Sequence, residues 1–339
     1  MYAHCRTRYR SFVRLFFAVL AATGLAPMHL GSGDDVQPRD TVSVIESVTP
    51  ALPPGVRVDV VGGDTFIRLR ARGHAATVPG YQGEKYIEIA GDGTVRENKA
   101  STTSKLNVNR FGNADVPDET GDVSWRTISH NGTAMWHDHR IHWMSPVTPT
   151  VIDARGTVQH WTFDILVDGA VHTLKGTLYL RGHHSVLWWF TGLVGAALAG
   201  FLAVRHRGRY HVCLACVAAF GTATGTLQWL SLPGAARIRP LMMLFCAGAL
   251  VAAAAASVVR RRSGGGPQTE WIASSISAGA GATMLLAAWM SWQQVQSAYL
   301  PMLGPSWMAR ITVTTLVGAG TVAVVDGLVR AMRVQPSVD

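Results

Sequence analysis

The chain has 339 residues, 48% of them hydrophobic, and a mean hydropathy of +0.19, with the apolar residues concentrated in the C-terminal half. Its formal net charge of +9 is divided unequally, because residues 34–182 carry 15 Lys and Arg against 18 Asp and Glu, and the remainder carries 15 against 3. A basic surplus at the ends of apolar segments is typical of membrane topology, which excludes a nucleic-acid-binding patch as its cause.

Residues 1–33 have the pattern of a signal peptide or membrane anchor. Four arginines between positions 6 and 14 precede the apolar run 15–26, which is too short to span a bilayer comfortably. The sequence Gly24-Leu25-Ala26 suits a cleavage enzyme, whereas Pro27 directly after it is unfavourable. Cleavage and retention as an anchor therefore both stay open, and in either case we expect the chain to be exported.

Residues 34–182 are predicted to form an extracytoplasmic β-domain. Apolar residues alternate with polar ones, as in Trp161, Phe163 and Ile165, and turn residues such as Asp168-Gly169 recur along the segment. About eight strands in roughly 140 residues indicate an all-β immunoglobulin-like sandwich. The segment contains no cysteine, so no disulfide stabilises it. The polar stretch 99–120 is predicted to be a long irregular loop.

Five apolar runs of about 19–23 residues predict an all-α bundle of five transmembrane helices within residues 186–330, because a hydrocarbon layer of about 30 Å requires that length. The runs cover residues 186–204, 210–232, 241–259, 271–292 and 307–329. Residues 331–339 would then form a cytoplasmic tail. No charged residue lies near the middle of a run, which argues against an ion pump or proton-coupled transporter.

Arginine clusters follow the first, third and fifth runs, whereas the loops after the second and fourth carry few charges. Since cytoplasmic loops retain Lys and Arg, this alternation predicts a multi-pass plasma-membrane protein. The β-domain would lie on the outer face and the C-terminus in the cytoplasm. Only a few residues separate the last predicted strand from the first helix, so we expect the domain to lie close to the membrane.

The segment 135–144, MWHDHRIHWM, is the main candidate for chemistry. As an extended strand it would place His137 and His139 on one face and His142 on the other. Two imidazoles at this spacing can converge on one Cu(II), Zn or Ni ion, and His142 would join them only if the strand is bulged. The candidate metal ligands are His137, His139, His142, His130, Met135 and Met144.

A second interpretation of the same segment requires no metal. Asp138 would pair with Arg140, Arg140 would stack on a tryptophan, and the histidines would be half-exposed polar positions beside an aromatic core. For the metal interpretation, His160, or Met28 or His29 in the N-terminal segment, is a further candidate for the third ligand. The residues alone do not decide between these interpretations.

The run WHDHRIHWM, together with GYQGE at 80–84, Asp92-Gly93 and Asn98, resembles a group of uncharacterised actinobacterial membrane proteins. These pair an exported β-domain carrying a W-H-D-H-R-x-H-W-M signature with a C-terminal helical bundle. The resemblance covers residues 44–182 well and the helices in general plan. The group is associated with genes for periplasmic copper-handling proteins, which implies copper as the ion and periplasmic or cell-surface copper proteins as partners. It assigns neither ligands nor an activity.

The sequence therefore predicts a membrane-anchored extracytoplasmic protein that binds copper and serves in metal handling or delivery, with the lipid bilayer and copper proteins as partners. The alternative is an envelope scaffold or assembly module that binds other envelope proteins without metal. An enzyme ranks third, because nothing resembles a paired nucleophile and base. A mononuclear copper site with an open position would nevertheless be capable of redox chemistry.

Overall fold

The computed structural model describes residues 38–107, 122–145, 147–232, 240–262 and 266–333. The predicted signal peptide or anchor and most of the predicted loop 99–120 lie outside the described residues. The described chain forms an antiparallel β-sandwich followed by five long apolar helices. The architecture predicted from the sequence is therefore confirmed.

The described part of the sandwich contains ten strands in two antiparallel sheets. They are β1 Thr41–Thr49, β2 Val56–Val61, β3 Phe66–Ala71, β4 Ala76–Pro79, β5 Lys85–Ile89, β6 Val95–Asn98, β7 Trp125–Ser129, β8 Thr133–Trp136, β9 Thr157–Val167 and β10 Ala170–Leu180. One sheet has the order β1-β10-β9-β4-β5-β6-β7, and the other has the order β2-β3-β8. The β9–β10 hairpin turns at Asp168-Gly169, as the sequence predicts.

The core of the sandwich lies between the two sheets, and every second residue of a strand points into it. Trp161, Phe163 and Ile165 on β9 are buried and alternate with exposed Thr162 and Asp164. They pack in one cluster with apolar side chains of β3, β4, β5 and β10. Each such side chain stabilises the fold by about 1.5–3 kcal/mol through removal of its apolar surface from water.

The described helices begin with a short one inside the predicted loop and continue with the membrane bundle. They are α1 Thr102–Leu106, α2 Trp189–Arg205, α3 Arg207–Ser231, α4 Leu241–Arg262, α5 Pro267–Met290, α6 Gln293–Gln296 and α7 Ser306–Arg333. Five of them are long and apolar enough to cross a membrane. Helix α7 packs against α2, α3 and α5 and so lies at the centre of the bundle.

The arginine-rich helix ends lie together at the end of the bundle remote from the sandwich. Arg207, at the start of α3, donates from Nη1 to Asp326 Oδ2 at 2.6 Å, and Arg330 donates from Nε to Asp326 Oδ1 at 2.9 Å. Arg260, near the end of α4, pairs with Glu270. The alternation of arginine clusters in the sequence thus corresponds to one charged end of the bundle.

The opposite end of the bundle contacts the sandwich directly. Arg39, just before β1, exchanges two backbone hydrogen bonds with Tyr299, at 3.0 and 2.8 Å. The Ala298 N–H donates to Asp40 Oδ1 at 2.9 Å, and the His184 N–H donates to the Gln296 carbonyl at 2.6 Å. The start of β1 and the end of β10 therefore face the helices, as the short linker predicts.

Candidate metal centre

The segment that carries the histidines leaves the sheet after β8. The strand ends at Trp136, and His139–Ile141 form a single 3-10 turn with Asp138 as its N-cap. Asp138 Oδ1 accepts from the Arg140 backbone N–H at 3.0 Å, the contact by which an aspartate fixes a turn two residues ahead. The prediction of an extended strand through Met144 is therefore wrong.

The turn brings three imidazoles together. Residues i and i+3 share a face in a 3-10 turn, so His142 lies beside His139 rather than opposite it. Ring centroids are 5.4 Å apart for His137 and His139, 4.4 Å for His137 and His142, and 5.2 Å for His139 and His142. One ligand atom from each ring lies within 4.8 Å of the other two. His142 is thus a full member of the cluster.

Backbone carbonyls fix the tautomers of two of the rings. His137 Nδ1 lies 2.8 Å from the Thr65 carbonyl oxygen, and His142 Nδ1 lies 2.9 Å from the Trp143 carbonyl oxygen. A carbonyl only accepts, so each Nδ1 carries the proton, and Nε2 is the atom that the neutral ring would present to a metal. Histidines that ligate metals are commonly oriented in this way.

His139 is the half-buried member of the cluster, whereas His137 and His142 are buried. Its ring stacks on Tyr81 with centroids 5.9 Å apart, and its backbone N–H donates to the Tyr81 hydroxyl at 2.8 Å. The tyrosine hydroxyl in turn donates to Asn107 Oδ1. Access from solvent to the cluster is therefore on the side of His139.

A buried ion pair holds the turn in place. Asp138 has no solvent exposure and accepts from Trp136 Nε1 at 2.8 Å and from Arg140 Nε and Nη2 at 2.9 and 2.7 Å. Burial lowers the pKa of Arg140, but the hydrogen bonds and charge of Asp138 outweigh it and raise the pKa. The Arg140 guanidinium lies 4.3 Å from the ring centre of Phe163 and 5.1 Å from that of Tyr81.

This geometry confirms the expected pairing of Asp138 with Arg140 and corrects the ring on which Arg140 stacks. The rings are Phe163 and Tyr81 rather than a tryptophan, because Trp136 uses its indole N–H to bind Asp138. The Asp138–Arg140 ion pair and the histidine cluster are features of one turn. The half-exposed positions of the second interpretation hold for His139 alone, because His137 and His142 are buried.

The seven-stranded sheet anchors the far side of the turn. Ser43 on β1 donates its hydroxyl to the Ile141 carbonyl at 2.7 Å and accepts from Trp161 Nε1 at 2.7 Å. Gln159 on β9 donates to the His142 carbonyl at 3.3 Å. Ile141 itself is fully buried in the core. The histidines are thus presented by a turn whose backbone is fixed on several sides.

Helix α1 and the chain before β5 hold Tyr81 against His139. The Tyr81 N–H donates to Thr103 Oγ1 at 2.7 Å. Glu84 accepts from Ser101 Oγ at 2.9 Å and from Thr103 N and Oγ1 at 3.0 and 2.7 Å. Burial raises the pKa of Glu84, but these hydrogen bonds outweigh it and lower the pKa to about 2. The carboxylate is therefore ionised and holds α1 beside the site.

The other candidate histidines, His130 and His160, lie outside the histidine cluster. His130 is in the turn between β7 and β8, with its Nδ1 3.5 Å from Thr94 Oγ1, and the length of β8 separates it from the cluster. His160 on β9 lies 2.8 Å from Thr177 Oγ1. Met135 is half-buried on β8 and Met144 is 40% exposed, so their participation as ligands remains a prediction. Met28 and His29 lie outside the described residues.

The cluster fits a small transition-metal ion. Metal–nitrogen bonds of about 2.0–2.1 Å place the nitrogens of a tetrahedral or trigonal site about 3.3–3.6 Å apart. The observed ligand atoms lie within 4.8 Å of one another, so ring rotations that move each nitrogen by about 1 Å would close the site. Three imidazoles leave a further coordination position for water or another donor.

Comparison with known proteins finds no family model, no curated protein and no solved structure that matches this chain.

Proposed function

We propose that the protein is an exported, membrane-anchored copper-binding protein that handles or delivers copper at the outer face of the plasma membrane. His137, His139 and His142 would hold one ion. The observation that supports this proposal is the convergence of three imidazoles, within 4.8 Å of one another, on a turn fixed by a buried ion pair.

The type of ligand favours copper. Imidazole suits copper, zinc and nickel, and of these divalent ions copper has the highest intrinsic affinity for nitrogen ligands. An imidazole that ligates a metal is neutral, so three of them would not offset the charge of the ion. Divalent copper would need a water or another donor in the open position.

The position of the cluster supports a role at the membrane surface. The turn lies at the end of the sandwich that contacts the helices, and the arginine-rich ends of the helices lie at the opposite end. Because cytoplasmic ends retain arginine, we place the sandwich outside the cell and the C-terminus in the cytoplasm. A copper ion held there would be available to exported copper proteins.

Copper titration of the full chain in detergent tests the proposal, with Cu(II) and with Cu(I) under reducing conditions. Loss of a residue that only orients a ligand already costs about 10–100-fold in affinity, so each of His137→Ala, His139→Ala and His142→Ala is expected to cost more. His130→Ala and His160→Ala are the matched controls and should bind as the wild type does. If the triple alanine variant binds as wild type does, or wild type binds no copper, the protein is the metal-free interaction module instead.

A further inference from the structure

We propose that residues 297–305, the α6–α7 loop of the bundle, form part of the scaffold of the three-histidine site. Copper binding and the seating of this loop on the sandwich are then coupled, and Gly62, Gly63 and Arg310 are positioning residues. The inference rests on the proposed copper site. Four successive contacts join the helices to the histidines.

The first contact fixes the loop to α7. Arg310 is one turn inside this helix and only 1% exposed. Its Nη1 donates to Ser306 Oγ at 2.7 Å, and its Nη2 donates to the carbonyls of Ser297 and Ala298 at 3.0 and 3.1 Å. A guanidinium buried among apolar helices is costly unless its donors are used. The two donations from Nη2 hold Ser297 and Ala298, the first residues of the loop.

The second contact joins the loop to the sandwich. Tyr299 exchanges backbone hydrogen bonds with Arg39 at 2.8 and 3.0 Å, and the Ala298 N–H donates to Asp40 at 2.9 Å. The loop therefore pairs with the chain immediately before β1. A displacement of the loop would displace the start of that strand.

The third contact lies in the β2–β3 hairpin, residues 62–65. Gly62 and Gly63 have φ values of +74° and +77°, a conformation that glycine adopts readily. A Cβ added at Gly62 would lie 2.7 Å from Pro301 Cα, and one added at Gly63 would lie 2.8 Å from Tyr299 Cβ. The hairpin backbone thus packs against the loop with no room for a methyl group.

The fourth contact runs from the hairpin to the histidines by two routes. In one, the Thr65 carbonyl accepts from His137 Nδ1 at 2.8 Å. In the other, the Ser43 N–H donates to the Gly63 carbonyl at 3.1 Å, while its hydroxyl donates to the Ile141 carbonyl at 2.7 Å. Movement of the hairpin would therefore shift both His137 and the turn that carries His139 and His142.

Coupling between two sites is reciprocal by thermodynamic necessity. An ion that fixes His137 against the other two rings would also fix Thr65, and through it the hairpin that packs on the α6–α7 loop. Conversely, a rearrangement of α7 that moves the loop would loosen the ligands. The helices would in this way set the affinity of the site, in addition to anchoring the sandwich.

A matched pair of glycine substitutions in the full chain tests the coupling. Gly62 and Gly73 both have a φ of +74°, but a Cβ at Gly73 has no neighbour within 4 Å. Gly62→Ala and Gly73→Ala thus introduce the same backbone strain, and only the first pushes against Pro301. With Cu²⁺ as the probe, Gly62→Ala is expected to weaken binding about 10–100-fold and change the electron paramagnetic resonance spectrum, whereas Gly73→Ala does neither.

Arg310→Gln alters the contact between loop and sandwich from the helix side, and it tests the coupling if Gly62→Ala fails to fold. Its control is Arg330→Gln, at the other end of α7, where the arginine pairs with Asp326. Amide hydrogen exchange of residues 137–143 without copper is the second readout, and it should rise in Gly62→Ala and Arg310→Gln alone. A wild type that binds neither Cu²⁺ nor Cu(I) refutes the copper site, while exchange still tests the coupling. Wild-type affinity, spectrum and exchange in both variants would overturn the coupling.

Discussion

Replacement of Asp138 by asparagine is expected to destabilise the sandwich by about 2–4 kcal/mol, because it leaves the buried Arg140 without a counter-ion. The loss of one partner from a buried pair costs about 3–5 kcal/mol. The Arg140 side chain is 20% exposed, so water can replace part of the interaction. This partial hydration places the expected cost below the upper end of that range.

The hydrogen bonds give the same order of magnitude. Asp138 Oδ1 accepts from the backbone N–H and the Nε of Arg140, and Oδ2 accepts from Trp136 Nε1 and Arg140 Nη2. Whichever oxygen becomes the amide nitrogen, two donors would face another donor. A hydrogen bond to a charged group contributes about 1.5–3 kcal/mol, and rearrangement of the side chains recovers part of the loss.

Thermal unfolding of the full chain in detergent, followed by near-ultraviolet circular dichroism of the buried tryptophans, measures the effect. At roughly 3 °C per kcal/mol for a domain of this size, the Tm of Asp138→Asn should fall by about 6–12 °C. Asp164→Asn is the control, since Asp164 is exposed on β9 and accepts from Thr173 Oγ1. A Tm for Asp138→Asn within about 2 °C of that control would refute the reasoning.

Ser43→Ala should cost about 1–3 kcal/mol in denaturant unfolding, since it leaves the buried Trp161 indole N–H and Ile141 carbonyl unbonded, and an unchanged unfolding midpoint would contradict that role. The pKa of Glu84 is lowered to about 2 in the folded protein, so its stabilisation is present above about pH 4.5 and lost as the pH falls toward 2. The free energies of unfolding of wild type and Glu84→Gln should therefore differ most near neutral pH and converge at acid pH. A difference that does not depend on pH would argue against stabilisation by the ionised Glu84 carboxylate. Reporter fusions are placed after Arg209, Arg239, Arg262 and Ser306. The reporters should lie inside, outside, inside and outside the cytoplasm in that order, and a cytoplasmic signal at Ser306 would overturn the topology.

The fold was predictable because its signals are local in the sequence. Buried Trp161, Phe163 and Ile165 alternate with polar residues along β9, and the five apolar runs overlap the five long helices. The charged helix ends were predictable in the same way, since arginines follow three of the runs. Such patterns depend on the face that a residue presents within its own element, so they can be found without knowledge of tertiary contacts.

The site was predictable only in part. The pairing of His137 with His139 follows from their spacing, but the place of His142 depends on the turn at Asp138, and an aspartate two residues before Arg140 was the available signal. Thr65 and Tyr81 lie 72 and 58 residues from the histidines that they contact, so only the fold brings them there. His130 was a candidate by proximity in sequence, and β8 separates it from the cluster.

The most direct test of the three-histidine site is the electron paramagnetic resonance spectrum of the full chain with one equivalent of Cu²⁺, compared between wild type and His142→Ala. His142 is decisive because an extended strand would turn it away from the other two rings. In the observed turn, its ring centroid lies 4.4 Å from that of His137. We expect nitrogen hyperfine structure from three imidazoles in wild type, and from two in the variant. A spectrum without nitrogen coupling, or one that His142→Ala leaves unchanged, would contradict the site.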